Sequence, residues 1–194
     1  MGEPVPRFRS QATKLKRVMQ LKYPSAKSPS SFVDFDPHIT LATILTTPTC
    51  AAELRAAVPC GQAALAPTFK SVDVGEKYFM SVYAVVHESP GLAALRAHLR
   101  EALGADKVPP VPHLSLYYID DADRDDRARV ANELKNSGRV VGRPDGGVAL
   151  NCAQEVGPGT EPDLLSGFEG AEIWIAKCDG PVPGWEVVDK ISLA

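Results

Sequence analysis

The sequence predicts an α+β fold built on antiparallel sheets, and three observations carry that expectation. Leu92, Leu95, Leu99 and Leu103 recur at helical spacing between Pro90, which opens a helix without losing a needed amide, and Gly104, which ends it. Tyr78, Phe79, Val82, Tyr83, Val85 and Val86 supply the aromatic and branched bulk of strands. Strands and helices are mixed along the chain, and several strands meet at turns of hairpin length, which favours antiparallel pairing.

Along the chain, Ser10 caps an expected helix that runs to about Lys22 with Leu15, Val18 and Met19 on one face. Prolines and serines break it between Tyr23 and Ser31. A strand is expected over Pro37 to Leu45, followed by a short helix capped by Thr49 that ends before Pro59. Phe69 to Val86 reads as two strands meeting at Val74-Gly75-Glu76, and Ser89-Pro90 opens the leucine helix. After Pro109, Pro110 and Pro112 comes a strand from His113 to Ile119, then a charged helix from about Asp121 to Asn136 that Gly138 terminates. Further strands are expected at Gly147 to Cys152, Ala171 to Cys178 and Trp185 to Leu193, with a loop from Val156 to Gly170 and a turn at Asp179 to Gly184.

At 194 residues the chain is long enough to bury a core, since a domain of this size buries roughly two thirds of its unfolded surface. One domain over residues 1–194 is expected, with room for two lobes. A composition of 44% hydrophobic and 23% charged residues is that of an ordinary globular protein. A net charge of -3 argues against long nucleic acid as a partner, because neutralising many phosphates takes a dense basic surface. A small anionic substrate in a local pocket remains compatible. No apolar stretch approaches the length of a membrane helix, and the N-terminus lacks a secretory apolar segment, so the expectation is a cytoplasmic monomer. Cys50, Cys60, Cys152 and Cys178 are scattered, without a C-x-x-C pair, and read as reduced structural thiols.

Two segments nearly repeat: Asp36-Pro37-His38-Ile39-Thr40-Leu41 and Val111-Pro112-His113-Leu114-Ser115-Leu116. On a strand, His38 and Thr40 share one face while Ile39 and Leu41 take the other, and His113 and Ser115 do the same opposite Leu114 and Leu116. Each copy offers an imidazole beside a hydroxyl, anchored by an apolar face. One copy is cheap by chance and reads more readily as the start of a strand. Two matched copies in a chain with only four histidines are not.

The chemistry this suits is phosphodiester hydrolysis, which takes a proton from water and gives one to the departing alkoxide. Histidine holds either state near neutrality, its ordinary pKa being about 6.5. Each positioned acid or base typically contributes ~10²–10⁴-fold in rate. The hydroxyls can donate to the non-bridging phosphate oxygens, at about 3 kcal/mol for each well-placed donor. No metal or other cofactor is required.

H-x-[ST]-L occurring twice resembles the 2H phosphoesterase superfamily, and within it the chain is similar to the cyclic nucleotide phosphodiesterase (CPDase) family of fungi and plants. Phe35 to Leu41, Gly75-Glu76-Lys77-Tyr78-Phe79, Pro112 to Tyr118 and Trp185-Glu186-Val187-Val188 carry the likeness, which spans about residues 10 to 193. The resemblance implies a bilobed, pseudo-twofold fold of two antiparallel sheets with outer helices and a cleft between the lobes. It implies hydrolysis of nucleoside 2',3'-cyclic phosphates and of ADP-ribose 1'',2''-cyclic phosphate, by-products of tRNA splicing. It further implies His38 and His113 as the acid/base pair, Thr40 and Ser115 as phosphate binders, and Tyr118 as an aromatic side chain near the substrate. The initial expectation has His113 activating the water and His38 protonating the leaving oxygen. Family members usually start with an apolar strand, and the polar, proline-containing Met1 to Ser10 departs from that pattern.

The remaining candidates read more plainly. His87 and His98 suit partly exposed positions, Lys77 a solvated hairpin, and Trp174 and Trp185 packing roles. Asp34 and Asp36 lack a further carboxylate or histidine at metal-ligand spacing. Two rivals stand beside the cyclic phosphodiesterase reading: an enzyme acting on cyclic phosphate ends of RNA, and a non-catalytic nucleotide-binding module.

Overall fold

A computed structural model describes residues 7–20 and 25–194. Its elements are helix α1 (Arg7–Val18), helix α2 (Cys50–Ala56), strands β1 (Phe69–Val74) and β2 (Val82–Val86), helix α3 (Pro90–Leu103), strand β3 (His113–Tyr117), helix α4 (Arg124–Asn136), and strands β4 (Val140–Gly142), β5 (Val148–Asn151), β6 (Leu164–Leu165), β7 (Glu172–Lys177) and β8 (Glu186–Ser192). The α+β class and the antiparallel pairing hold, with the strands divided among three small sheets: β1-β2-β3, β4-β5-β6 and the hairpin β7-β8.

The leucine helix α3 follows its sequence signals closely. The Ser89 hydroxyl accepts from the Leu92 amide, Pro90 sits in the first turn, and Gly104 at φ 107° takes a conformation costly for other residues. Thr49 occupies the cap position of α2, but its hydroxyl donates to the Glu53 carboxylate rather than capping an amide. Helix α1 starts before Ser10, which lies inside it, and the expected end at Lys22 lies outside the described residues. The expected meeting of β1 and β2 at Gly75 is a longer connection with a 3-10 turn at Tyr78–Met80. Gly75 is required there, because a Cβ would collide with the Met80 carbonyl. Strands β4 and β6 were not anticipated, and both are short partners that complete the sheet around β5.

One expected strand is absent as such. Pro37 to Leu45 forms no strand and touches β3 through a single antiparallel bridge between Ile39 and Leu114. In that register the residues after Ile39 run back along Val111, Pro112 and the prolines before them. Prolines carry no amide to donate, so a ladder cannot continue past the bridge.

The largest core gathers Phe69, Val72, Val82, Ala84, Val86, Leu114 and Leu116 from the first sheet with Leu15 and Val18 of α1, Val130 and Leu134 of α4, and Leu150 of β5. A second core joins Ala57, Leu95, Leu99 and Val108, with Leu41 and Ile173 against it. Leu41 packs against both. The His38 segment and the approach to His113 therefore run along the seam between two cores. Among the described residues, no helix is long and apolar enough to cross a membrane.

Candidate active site

The bridge that replaces the expected strand joins the middle residues of the two repeated motifs. With Ile39 opposite Leu114, that antiparallel register carried one residue either way would set His38 across from Ser115 and Thr40 across from His113. Leu114 is buried in the main core and Ile39 packs on the same core, so the four polar side chains belong to the other face. His38 and His113 stand diagonal to each other in that register, and the charge of His113 is felt at His38. Two antiparallel segments paired at their centres are related by a local twofold axis.

The ring bonds repeat that symmetry. The Nδ1 of His38 donates to the Asp36 carbonyl at 2.6 Å, and the Nδ1 of His113 donates to the Val111 carbonyl at 2.9 Å. A carbonyl only accepts, so Nδ1 carries a proton in both rings and Nε2 is left outside that bond. In each copy a proline stands between the histidine and its acceptor. It holds the preceding residue in extended backbone, aiming that residue's carbonyl at the ring.

The four side chains differ in burial. His113 and Ser115 are 6% and 5% exposed and form a floor, whereas His38 and Thr40 are half-buried. The proton affinity of His38 is lowered, first by lost hydration under the surrounding protein and then by the charge of His113, against the opposing pull of the Asp36 carbonyl. The Ser115 hydroxyl donates to the Phe79 carbonyl at 2.7 Å, which ties the floor to the loop between β1 and β2.

Tyr118 reaches this face through an irregularity. Val82 pairs with Tyr117 but Tyr83 pairs with Ser115, so Leu116 is an extra residue in β3. Leu116 and Tyr117 consequently both enter the core, and the Tyr117 hydroxyl donates to the Val18 carbonyl of α1. Tyr118 is turned to the side of the sheet that carries Ser115. It is buried, stacked on Phe35 at 4.0 Å and met edge-on by Phe79 at 5.3 Å. Burial raises its hydroxyl pKa, so it stays protonated.

A family model for cyclic phosphodiesterase-like proteins (CPDase) matches residues 6–193. The chain belongs to the CPDase family. No curated protein matches it at a significant level. Membership bears out the resemblance drawn from the two motifs, and it makes this chain a cyclic phosphodiesterase, a hydrolase, in general terms.

Three residues of this CPDase chain escaped the sequence reading. The Tyr83 ring meets His113 edge-on at 5.3 Å, and Phe35 meets His38 at 6.1 Å. Phe79 is half-exposed and packs on Trp185 at 5.6 Å. Phe35 and Phe79 lie inside the segments that carry the resemblance, which was a usable signal. Tyr83 follows only from the pairing of β2 with β3. Lys77 is exposed, as expected. Asp34 and Asp36 both pair with Lys16 of α1, at 3.3 and 3.0 Å. His87 and His98 are exposed and stand apart from these contacts. Among the described residues, no group of three or more metal-ligating side chains is gathered.

Proposed function

We propose that this chain is a 2',3'-cyclic-nucleotide 3'-phosphodiesterase. It takes nucleoside 2',3'-cyclic phosphates to 2'-phosphates and ADP-ribose 1'',2''-cyclic phosphate to ADP-ribose 1''-phosphate. The observation that carries this reading is the Ile39–Leu114 bridge, whose register aligns two His-x-Thr/Ser motifs on one face. One Nε2 takes a proton from water as the water oxygen bonds to phosphorus. The other Nε2 gives a proton to the ribose 3'-oxygen as its bond to phosphorus breaks. Protons and charge balance without a metal, since one imidazole ends protonated and the other neutral.

The lowered proton affinity of His38 supports a neutral ring there, the state a base needs, and we assign His38 as the base with His113 as its acid partner. This reverses the assignment expected from sequence. Thr40 and Ser115 donate to the non-bridging oxygens, Ser115 by turning its hydroxyl away from the Phe79 carbonyl. Tyr118, buried against Phe35 and Phe79, is the aromatic side chain assigned to the neighbourhood of the substrate. The half-exposed ring of Phe79 beside Trp185 offers the nucleobase a stacking surface. The substrate partner is a small cyclic nucleotide, acted on by a monomer that needs neither long nucleic acid nor a membrane.

Phosphorus NMR of products from a panel of cyclic phosphates tests the proposal. A 2'-phosphate product with undiminished turnover in EDTA is expected. A 3'-phosphate product, or turnover that requires added metal, would overturn it.

A further inference from the structure

Arg96 of α3 is fully buried, with 0% of its side chain exposed, among Leu92, Leu95 and Leu99. An apolar residue there would continue the leucine face without the cost of burying a charge. The bonds the guanidinium makes say what the charge is for. Its Nε donates to the Glu88 carboxylate at 2.7 Å, and Nη2 donates to the carbonyls of Pro109 at 2.7 Å and Pro110 at 3.1 Å. Nη1 has no hydrogen-bond partner among the described residues, so Arg96 is directed to Glu88 and the proline segment alone.

That segment needs outside support, because Pro109, Pro110 and Pro112 carry no amide with which to hold themselves. Its four successive carbonyls are instead each met by a donor. Arg96 takes Pro109 and Pro110, the His113 ring takes Val111, and the Val86 amide takes Pro112 at 3.0 Å. The carbonyl that sets the His113 tautomer thus lies between one held by Arg96 and one held by β2.

We propose that Arg96 is a positioning residue for His113: by gripping the Pro109 and Pro110 carbonyls it fixes the Val111 carbonyl, and so keeps the proton on Nδ1 and Nε2 facing the phosphate. A lysine could not replace it, since a single ammonium lacks the planar fork that spans Glu88 and two adjacent carbonyls. The proposal rests on the two-histidine reading above.

The test is Arg96→Met in the full chain, with nitrogen-15 NMR of the histidine rings, kcat and KM on a nucleoside 2',3'-cyclic phosphate, and thermal melting. The expected result is a kcat lowered about 10- to 100-fold with KM within about 2-fold, the scale of a misplaced catalytic group. His113 should lose its pure Nδ1–H signature while the His38 signature stays. Wild-type kcat and an unchanged His113 signature would overturn the proposal, even if melting falls, because Arg96 would then serve stability alone. Should Arg96→Met fail to fold, Glu88→Gln loosens the same grip from a carboxylate that is 42% exposed. A folded Glu88→Gln protein with an unchanged His113 signature and unchanged kcat also overturns the proposal. The ring signature does not need turnover. An inactive wild-type protein would therefore sink the two-histidine reading while the NMR still decided the role of Arg96.

Discussion

His38 and His113 make the same ring bond to the carbonyl two residues back, yet the segments that carry them are held by different means. His113 opens a strand paired along β2, lies almost wholly buried, and is approached by a segment clamped by buried Arg96. His38 sits on a segment joined to the sheet by one bridge. The residues before it are held by Phe35, stacked on Tyr118, and by Lys16, whose partners Asp34 and Asp36 are mostly exposed. One copy belongs to the scaffold, and the other is laid against it. A buried charge with several bonds restrains geometry strongly, whereas exposed ion pairs are screened and contribute little. The two halves of a symmetric site can therefore share a chemical design and differ in mechanical stiffness.

The sharpest way to break the comparison is to remove both rings. His38→Ala and His113→Ala are each expected to lower kcat by ~10²–10⁴-fold while leaving the chain folded. The double variant should be little worse than either single one, because groups that act as a unit are strongly non-additive. Losses that multiply in steady-state kinetics would show two independent contributors. Next in size, Thr40→Ala and Ser115→Ala should cost about 10- to 100-fold, somewhat below the full loss of a preorganised donor. Ser115→Ala should also raise KM for nucleotides more than Thr40→Ala does, since it frees the Phe79 carbonyl and with it the stacking loop.

The pH dependence tests the inequality directly. With its proton affinity lowered, His38 should titrate below the ordinary 6.5 by NMR, and the acidic limb of kcat/KM should follow it. Removing His113 removes a charge that disfavours the proton, so the His38 midpoint should rise in His113→Ala. The same shift affects stability. The unfolded chain binds this proton more readily, so stability is lost as pH falls from 6.5 towards the lowered value, and His38→Ala should flatten that part of a melting profile. The smallest effect is expected at Lys16. Lys16→Ala should change stability by no more than ~1 kcal/mol in denaturant titration. Its kcat should stay within about 3-fold, as fits a group that restrains its segment weakly.

Much of the chemistry was legible because it is local. Proline before histidine aims the acceptor carbonyl, and the period of two assigns faces, so both motifs could be read as imidazole and hydroxyl platforms. Helix α3 was legible for a similar reason, its cap, its first-turn proline and its terminal glycine all lying within a few residues of the elements they bound. Short strands such as β6 were not, since two residues acquire strand geometry only from the neighbour they pair with.

By itself, then, the amino-acid sequence determined the class of fold and the family, and it singled out the polar residues of the two motifs. The tertiary structure alone decided how the two motifs meet. It stopped the expected strand at Ile39, because the partner backbone there is proline-rich and cannot donate. It inserted Leu116 into the pairing of β3, which sends Tyr117 into the core and leaves Tyr118, the tyrosine that the family resemblance named, on the Ser115 side. Strict alternation from His113 would have chosen Tyr117. A one-residue bulge reverses which side chain faces the site, and the pairing across strands that creates it is set by partners distant in the chain.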